Sequence, residues 1–516
     1  MFRSRDFDIG EFPRFVPHRD RNVPWQRFLT SHERELVEDL ELPTMLHAMA
    51  DGDEFLFEVA RTAILSGLSN DAETILYRHE ALRDCLNNSG GVRQLYDIAV
   101  LALERAKDRS WGMSSHYSSS LLYGAVGLLE GLSHILRELR ILSESLADRF
   151  DSEAFRNLFA ILRTEVSDDY LKLIETHLTE LKFRKGTLLG VQLGEWNESA
   201  NLILHSMPAK KRNILERLVT RTPRTYSFQI AQEDATGARI ISDMTHRGMS
   251  RVAIALAQSA DHVLSFFKVL RAELGFYVCC LNLHDRLAVL QEPVCFPKPV
   301  SAGSRQASFS ALYDVCLSLQ MKRTVVGNTC NLDGKNLVVI TGPNQGGKSS
   351  FLRSIGLAQV MTQAGMFVGA EQFQAEICPD LFTHYKREED PSMNSGRFDE
   401  ELARMSEIAD HIIPDSMLLL NESFAATNER EGSEIARQIV SALLEKRIKI
   451  FFVTHLYGFA RQAFERNSGH AMFLRAERQP DGTRTFKMLE AEPLETSYGA
   501  DLYREIFTPS AERQEA

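Results

Sequence analysis

The stretch Leu337-Val338-Val339-Ile340-Thr341-Gly342-Pro343-Asn344-Gln345-Gly346-Gly347-Lys348-Ser349-Ser350 decides how this chain is read. Its first five residues are apolar or β-branched and predict a buried parallel strand, and Phe351-Leu352-Arg353-Ser354-Ile355-Gly356-Leu357 has helical spacing. Between them lies a glycine-rich turn. A polyphosphate needs many N–H donors at close range, and glycines at 342, 346 and 347 let the backbone approach while the helix start adds partial positive charge. The expected nucleotide-binding residues are Gly342, Pro343, Asn344, Gln345, Gly346, Gly347, Lys348, Ser349 and Ser350. Lys348 is placed to reach the β- and γ-phosphates of ATP, and the Ser349 hydroxyl to ligate Mg²⁺. A glycine-rich turn matching by chance is the competing reading, and the strand before it and the helix after it weigh against that.

Two further apolar runs end in polar residues. Ser416-Met417-Leu418-Leu419-Leu420 predicts a second buried strand that delivers Asn421-Glu422 to its carboxyl end, where open α/β sheets bind ligands. Beside a phosphate loop, Glu422 is the expected general base or water-orienting group for hydrolysis, against the plainer reading of a solvated glutamate. Ile448-Lys449-Ile450-Phe451-Phe452-Val453-Thr454 predicts a third strand ending at His455, which can meet the γ-phosphate or the attacking water. A lone histidine after such a strand is more often structural. The repetition of strand end plus polar residue favours function here.

The rest of the composition sets bounds. The chain has 516 residues, enough for two to four domains, with ordinary hydrophobic (44%) and charged (25%) fractions. The longest apolar segment, 252–283, is broken by Asp261, His262, Lys268, Arg271 and Glu273, so a buried helix is expected rather than a membrane span. A net charge of −11 argues against a wholly basic nucleic-acid binder but leaves room for a local patch. Seven cysteines without a C-x-x-C pair fit a reducing cytosol, hence a cytoplasmic protein. Basic residues near the N-terminus are mixed with Asp6, Asp8, Glu11 and Asp20, which predicts neither a secretory signal nor a transit peptide.

Residues 1–32 lack periodicity and read as an arm. Helical spacing dominates from 33 onward, and 151–181 places apolar residues along one broad face, predicting a single rod of about 45 Å. A second long helix is expected from about 247 to 285, making an out-and-back pair. Between them, 186–193 and 225–230 read as strands. The segment also carries Lys210, Lys211, Arg212, Arg217, Arg221 and Arg224 against the single acid Glu216. That cluster is either a DNA-phosphate contact surface or a solvated helix face. Prolines 293, 297 and 299 mark a boundary, after which strands and helices alternate.

The loop 342–350, the stretch 363–371, Asn421-Glu422 followed by 427–432, and Val453-Thr454-His455 together resemble the DNA mismatch-repair MutS ATPases, a branch of the ABC class. The resemblance is specific over about 310–500 and weaker, by helix pattern, over 33–290. It implies a multidomain α and α/β fold, with a helical core and long lever helices joined to a C-terminal ABC-type P-loop ATPase domain. The implied boundaries are 1–32 for the arm, 33–181 for core and first lever helix, 182–246 for a clamp-like segment, 247–296 for the second lever helix, and 297–516 for the ATPase domain. It further implies a homodimer on double-stranded or branched DNA in repair or recombination, with a signature loop reaching the partner's nucleotide at Asn394, Ser395 and Gly396. The family pairs Asp with Glu at the second strand; here Asn421 stands first, able to hold a Mg²⁺-bound water but with one charge fewer. The chain before its helical core is too short for separate mismatch-reading and connector domains, so a role as primary mismatch sensor is not expected. A competing function is an ATP-dependent protein switch with little hydrolysis and no DNA contact, favoured by Asn421 and the net acidity.

Overall fold

The computed structural model describes residues 29–109, 118–183, 186–193, 199–205, 226–227, 229–231, 234–387, 396–466 and 469–495. The fold is mixed helical and α/β and divides into two compact units. One contains 90–274, the other 29–89 with 275–495.

The second of these units is built on a six-stranded sheet. Its strands are β6 (Leu337–Thr341), β8 (Leu381–Tyr385), β9 (Met417–Asn421), β10 (Lys449–Val453), β11 (Ala471–Arg478) and β12 (Arg484–Glu490), in the order β12-β11-β6-β10-β9-β8. All neighbours are parallel except the β11–β12 pair, and Leu337 pairs with Ile450 on one side and Ala471 on the other. Central parallel strands are covered on both faces, which explains why β6 and β10 are largely apolar and buried throughout; β8, at the edge of the sheet, is buried along its length as well, Thr383 and His384 included.

Alternation along the strands sorts the faces. Leu337, Val339, Leu418, Leu420, Ile450 and Phe452 form one core with residues of the helices Arg397–His411, Glu429–Glu445 and Tyr457–Glu465. Leu419 points the other way, toward the helix Lys348–Ala364. A Cβ on Gly356 of that helix would stand 2.8 Å from Leu419 Cδ1 and 2.6 Å from Leu40 Cδ2, so any larger residue there would force both leucine side chains to shift.

The same helix is tied down by buried polar groups. Gln363 Nε2 donates to the carbonyls of Leu68 and Cys378 (both 2.9 Å), and its own carbonyl accepts from Asn70 Nδ2 at 2.7 Å. Arg78, 1% exposed, donates to Ala364 O at 2.9 Å. Arg353 donates to Asp314 at 2.6 Å and pairs with Glu41. The helices Ser31–Asp39, Leu42–Ala50, Glu54–Gly67 and Ala72–Asn87 thus belong to the unit that holds the phosphate loop. By their contacts these helices stand apart from 90–181, whereas the sequence reading puts 33–181 together as helical core and first lever helix. Amphipathic spacing marks a buried face but does not name the partner that buries it.

A four-stranded sheet completes the unit: β3 (Lys298–Val300), β4 (Ala307–Leu312), β5 (Asn328–Asn331) and β7 (Gln372–Glu376), ordered β3-β7-β4-β5. Residues 275–289 end the 55-residue helix Ala235–Val289, where Cys279 and Asn282 contact the carbonyls of Leu56 and Met49.

In the unit 90–274, the helix Ser118–Leu146 buries Leu122, Val126, Leu129, Leu132, Leu136 and Leu139, a helical stripe. The expected single rod over 151–181 is two helices, Glu153–Glu165 and Asp168–Glu180. Ser167 breaks it: its hydroxyl accepts the Tyr170 N–H as an N-cap, starting a new helix. The second long helix begins at Ala235, twelve residues before the expected start at 247, and ends at Val289. The expected strand at 186–193 is β1 (Leu188–Leu193), which pairs antiparallel with β2 (Ser199–His205), a strand not expected from the sequence, while the described residues of 225–230 form no strand. The nearer partner closes a shorter loop and so costs less chain entropy.

Among the described residues, no helix is long and apolar enough to cross a membrane, and no group of three or more His, Cys, Asp or Glu is arranged to hold a metal.

Candidate nucleotide-binding site

The loop after β6 takes its shape from its neighbours. Gly342 has φ +121°, and a Cβ there would stand 2.9 Å from the backbone nitrogen of Ala476 on β11. Glycine is therefore required by the adjacent strand as well as by any approach to phosphate. Gly347, with φ +85°, leads into the helix that begins at Lys348. Lys348 is 5% exposed, and its Nζ donates to the loop's own carbonyls, Pro343 O at 2.9 Å and Gly342 O at 3.2 Å. Burial pulls its pKa down to about 8, opposed by the charge of Glu422 and assisted by Arg484.

The neighbouring strands bring their ends to this loop. Asn421 closes β9 in register with Tyr385 of β8 and Val453 of β10. The Ser349 hydroxyl donates to Asn421 Oδ1 at 3.0 Å, which leaves the serine lone pairs available to a cation. One residue on, Glu422 takes a left-handed backbone, φ +53°, with its N–H on Val453 O at 2.8 Å. Its Oε1 lies 3.2 Å from His455 Nε2 and its Oε2 3.7 Å from Lys386 Nζ. The His455 hydrogen bond, with the charges of Lys386 and Lys348, holds the carboxyl below its ordinary range despite partial burial. At neutral pH Glu422 is thus a carboxylate. Left-handed Glu422 and Phe424 cost roughly 1–2 kcal/mol each. A buried side chain such as Leu420 or Phe452 contributes about 1.5–3 kcal/mol, so the core below easily holds the strained turn.

A polar layer supports that turn. The Phe424 N–H donates to Glu401 Oε1 at 3.0 Å. His384 Nε2 donates to Glu401 O at 3.1 Å, which leaves Nδ1 as the ring's acceptor facing Ser423 Oγ at 2.7 Å. Burial lowers the His384 pKa to about 4, so the ring is neutral at physiological pH.

Beside the loop, a cleft of about 610 Å³ is lined by Gln345, Gly347 and Ser350 together with Tyr313, Val326 and Phe486. Its apolar wall and polar mouth suit a flat heterocycle carrying a charged tail. Pro343 and Asn344 complete the loop, and Asn344 lines a smaller recess of about 150 Å³ with Thr341, Gly342 and His455. The predicted residues of the loop, Asn421, Glu422 and His455 therefore converge. Of the expected signature loop, Gly396 precedes the helix Arg397–His411, while Asn394 and Ser395 lie outside the described residues, as do Lys210, Lys211, Arg212, Arg217, Arg221 and Arg224. Sequence reasoning missed Lys386, Val326 and Phe486. Lys386 had a usable signal, because it follows the buried strand Leu381–Tyr385 as Glu422 follows β9.

The loop residues 342–350, Asn421, Glu422 and His455 lie within a segment that matches a known family. A family model described as MutS domain V matches residues 338–516, and one described as MutS2 N-terminal domain matches 70–290. The chain belongs to the MutS family. It is 26% identical to Endonuclease MutS2 of Thermus thermophilus over 332 residues, covering 63% of this chain and 39% of that protein. It is 31% identical to DNA mismatch repair protein MutS of Synechococcus elongatus over 223 residues, 42% of this chain and 23% of the relative. MutS protein homolog 4 of Mus musculus is 33% identical over 137 residues, 27% and 14% of the two chains. The chain thus spans well under half the length of these MutS relatives.

Proposed function

We propose that this MutS-family chain is a DNA-acting ATPase that couples ATP binding and hydrolysis to conformational change on DNA in repair or recombination. The observation that carries this reading is the convergence of three strand ends. Lys348 is folded onto its own loop, Ser349 is joined to Asn421, and the Glu422 carboxylate is held beside His455.

The residues fit a magnesium nucleotide. Lys348 exchanges its two loop carbonyls for phosphate oxygens, and the cleft holding Val326 and Phe486 takes the adenine, with Phe486, 47% exposed, free to lie against its face. Ser349 and Asn421 would hold Mg²⁺, Ser349 directly and Asn421 through water. When bound, the ion neutralises polyphosphate charge. Glu422 orients the attacking water and takes its proton, and His455 steadies the carboxylate oxygen it faces. Catalysis is positioning and charge stabilisation, as phosphoryl transfer requires.

In the same proposal the domain is ABC-type and the protein a cytoplasmic homodimer. The loop around Asn394, Ser395 and Gly396 completes the partner's site, and the long helices act as levers toward DNA gripped near the basic cluster. The resemblance of the motifs supports this, and the name DNA mismatch repair protein MutS, carried by the Synechococcus elongatus relative, supports the DNA part of it. The deciding experiment measures ATP hydrolysis alone and with homoduplex, mismatched and branched DNA. Hydrolysis that any of these DNAs stimulates is expected; a rate that no DNA alters sinks the DNA-coupled reading.

A second reading, an ATP-dependent switch that hydrolyses little and recognises protein, is favoured by Asn421, which brings an amide where a carboxylate would strengthen metal binding.

A further inference from the structure

Lys386 is the first residue beyond β8. Its N–H donates to Asn421 O at 2.9 Å, which carries the β8–β9 ladder one step past the Tyr385–Asn421 pair. Glu422 makes the corresponding bond to Val453 O on the other side. Three adjacent parallel strands therefore line up Lys386, Glu422 and His455 at their carboxyl ends. Glu422 stands in the middle, with His455 at one oxygen and the Lys386 ammonium at the other.

The backbone around Lys386 is fixed from both sides. Arg404 Nη1 donates to Tyr385 O at 3.0 Å, and Arg387 pairs with Glu38 at 3.4 Å and Glu35 at 3.6 Å. The Lys386 side chain itself is 38% exposed and has room to adjust. At 3.7 Å the ion pair is longer than a direct hydrogen bond; it biases the glutamate's rotamer without locking it. A glutamate at a left-handed turn would otherwise sample several rotamers, and a group that must aim one oxygen at a water loses rate when it wanders.

We propose that Lys386 is a positioning residue for Glu422: it holds Oε2 so that the carboxylate is presented in one orientation, with Oε1 on the His455 side. The proposal rests on the ATPase reading above. Lys386 acts through Glu422 rather than as a phosphate ligand, because its ammonium is engaged by the carboxylate whereas Lys348 lies inside the phosphate loop.

The test is single-turnover hydrolysis at saturating ATP, with ATP affinity measured separately, for wild type, Lys386→Met and Lys386→Arg. Lys386→Met is expected to slow hydrolysis by about tenfold while ATP affinity stays within about twofold, and Lys386→Arg to recover most of the rate. Thermal unfolding of each variant establishes that the comparison is between folded proteins. A wild-type rate in Lys386→Met overturns the proposal. So does weakened ATP affinity with an unchanged single-turnover rate, which would make Lys386 a phosphate ligand, and so does an arginine variant as slow as the methionine one. Absence of hydrolysis in the wild type overturns the ATPase reading itself, and this proposal with it.

Discussion

The two units use their charged residues differently. In the unit 29–89 with 275–495, Lys348, Glu422, His455 and Lys386 gather at the carboxyl ends of the parallel strands, and that setting lowers the pKa of Lys348 by burial and that of Glu422 through the His455 hydrogen bond. In the unit 90–274, described pairs such as Arg137–Glu175 and Lys182–Glu130 join helix surfaces where solvent screens them. A strand end fixes where a side chain stands, whereas a helix face offers many equivalent places. The candidate chemistry therefore concentrates in the unit 29–89 with 275–495.

Substitutions can break or sharpen that contrast. The largest effect is expected for Glu422→Gln, which keeps the phosphate contacts but removes the base. Hydrolysis should fall about 10²–10³-fold with ATP binding intact. A variant that hydrolyses at the wild-type rate would show that the strand end does not carry the chemistry. Next comes Lys348→Ala, which should weaken ATP binding about 100-fold, as expected for losing charge-assisted contacts worth about 2.7 kcal/mol. Calorimetry giving an unchanged affinity would remove the phosphate loop from the site.

The helical unit is tested in aggregate. Replacing Lys210, Lys211, Arg212 and Arg217 by Ala should flatten the slope of log K for duplex DNA against log salt by about 3.6, weakening all sequences alike. Basal hydrolysis should persist. An unchanged salt slope would leave the cluster as solvated surface and favour the protein-switch reading. A smaller effect is expected for Asn421→Asp, which should lower the Mg²⁺ midpoint for hydrolysis several-fold by restoring a negative charge beside Ser349. A titration that does not move would place residue 421 outside the reach of the metal.

The smallest effect is a proton. Lys348 has its pKa lowered to about 8 by burial, so in the free protein its ammonium is lost as pH rises through 8. Phosphate binding favours the charged form, so nucleotide binding at pH 8.5 should take up about three-quarters of a proton at this site, and almost none at pH 6.5. Binding enthalpies compared in buffers of different ionisation heat measure this directly. No buffer dependence at pH 8.5 would mean that Lys348 is not the group reached by phosphate.

Much of the site could be read in advance because its signals are local. An apolar run followed by a polar residue, repeated for β6, β9 and β10, states where the side chain will stand once the strands are parallel. Lys386 escaped because β8 carries Thr383 and His384 in an otherwise apolar run, and because its relation to Glu422 exists only across the ladder. The break at Ser167 was similarly hidden: a serine inside an amphipathic pattern is either a solvated residue or a cap, and the choice depends on the tertiary fit of both helices. Least legible was the destination of the helices between Ser31 and Asn87. Their stripes announce burial, but the residues that bury them, such as Gln363, Ala364 and Asp380, lie in a different part of the chain.

That separation has a consequence on the ribosome. Arg78 meets its acceptor Ala364 only after another 286 residues have been made. At 5–20 residues per second the interval is roughly 15–60 s, during which the helices from Ser31 to Asn87 wait with the apolar sides that the finished protein encloses still uncovered. The nascent chain is a natural client for chaperones over that interval, and codon changes that slow translation between 90 and 360 should lower the yield of folded protein without altering a single residue.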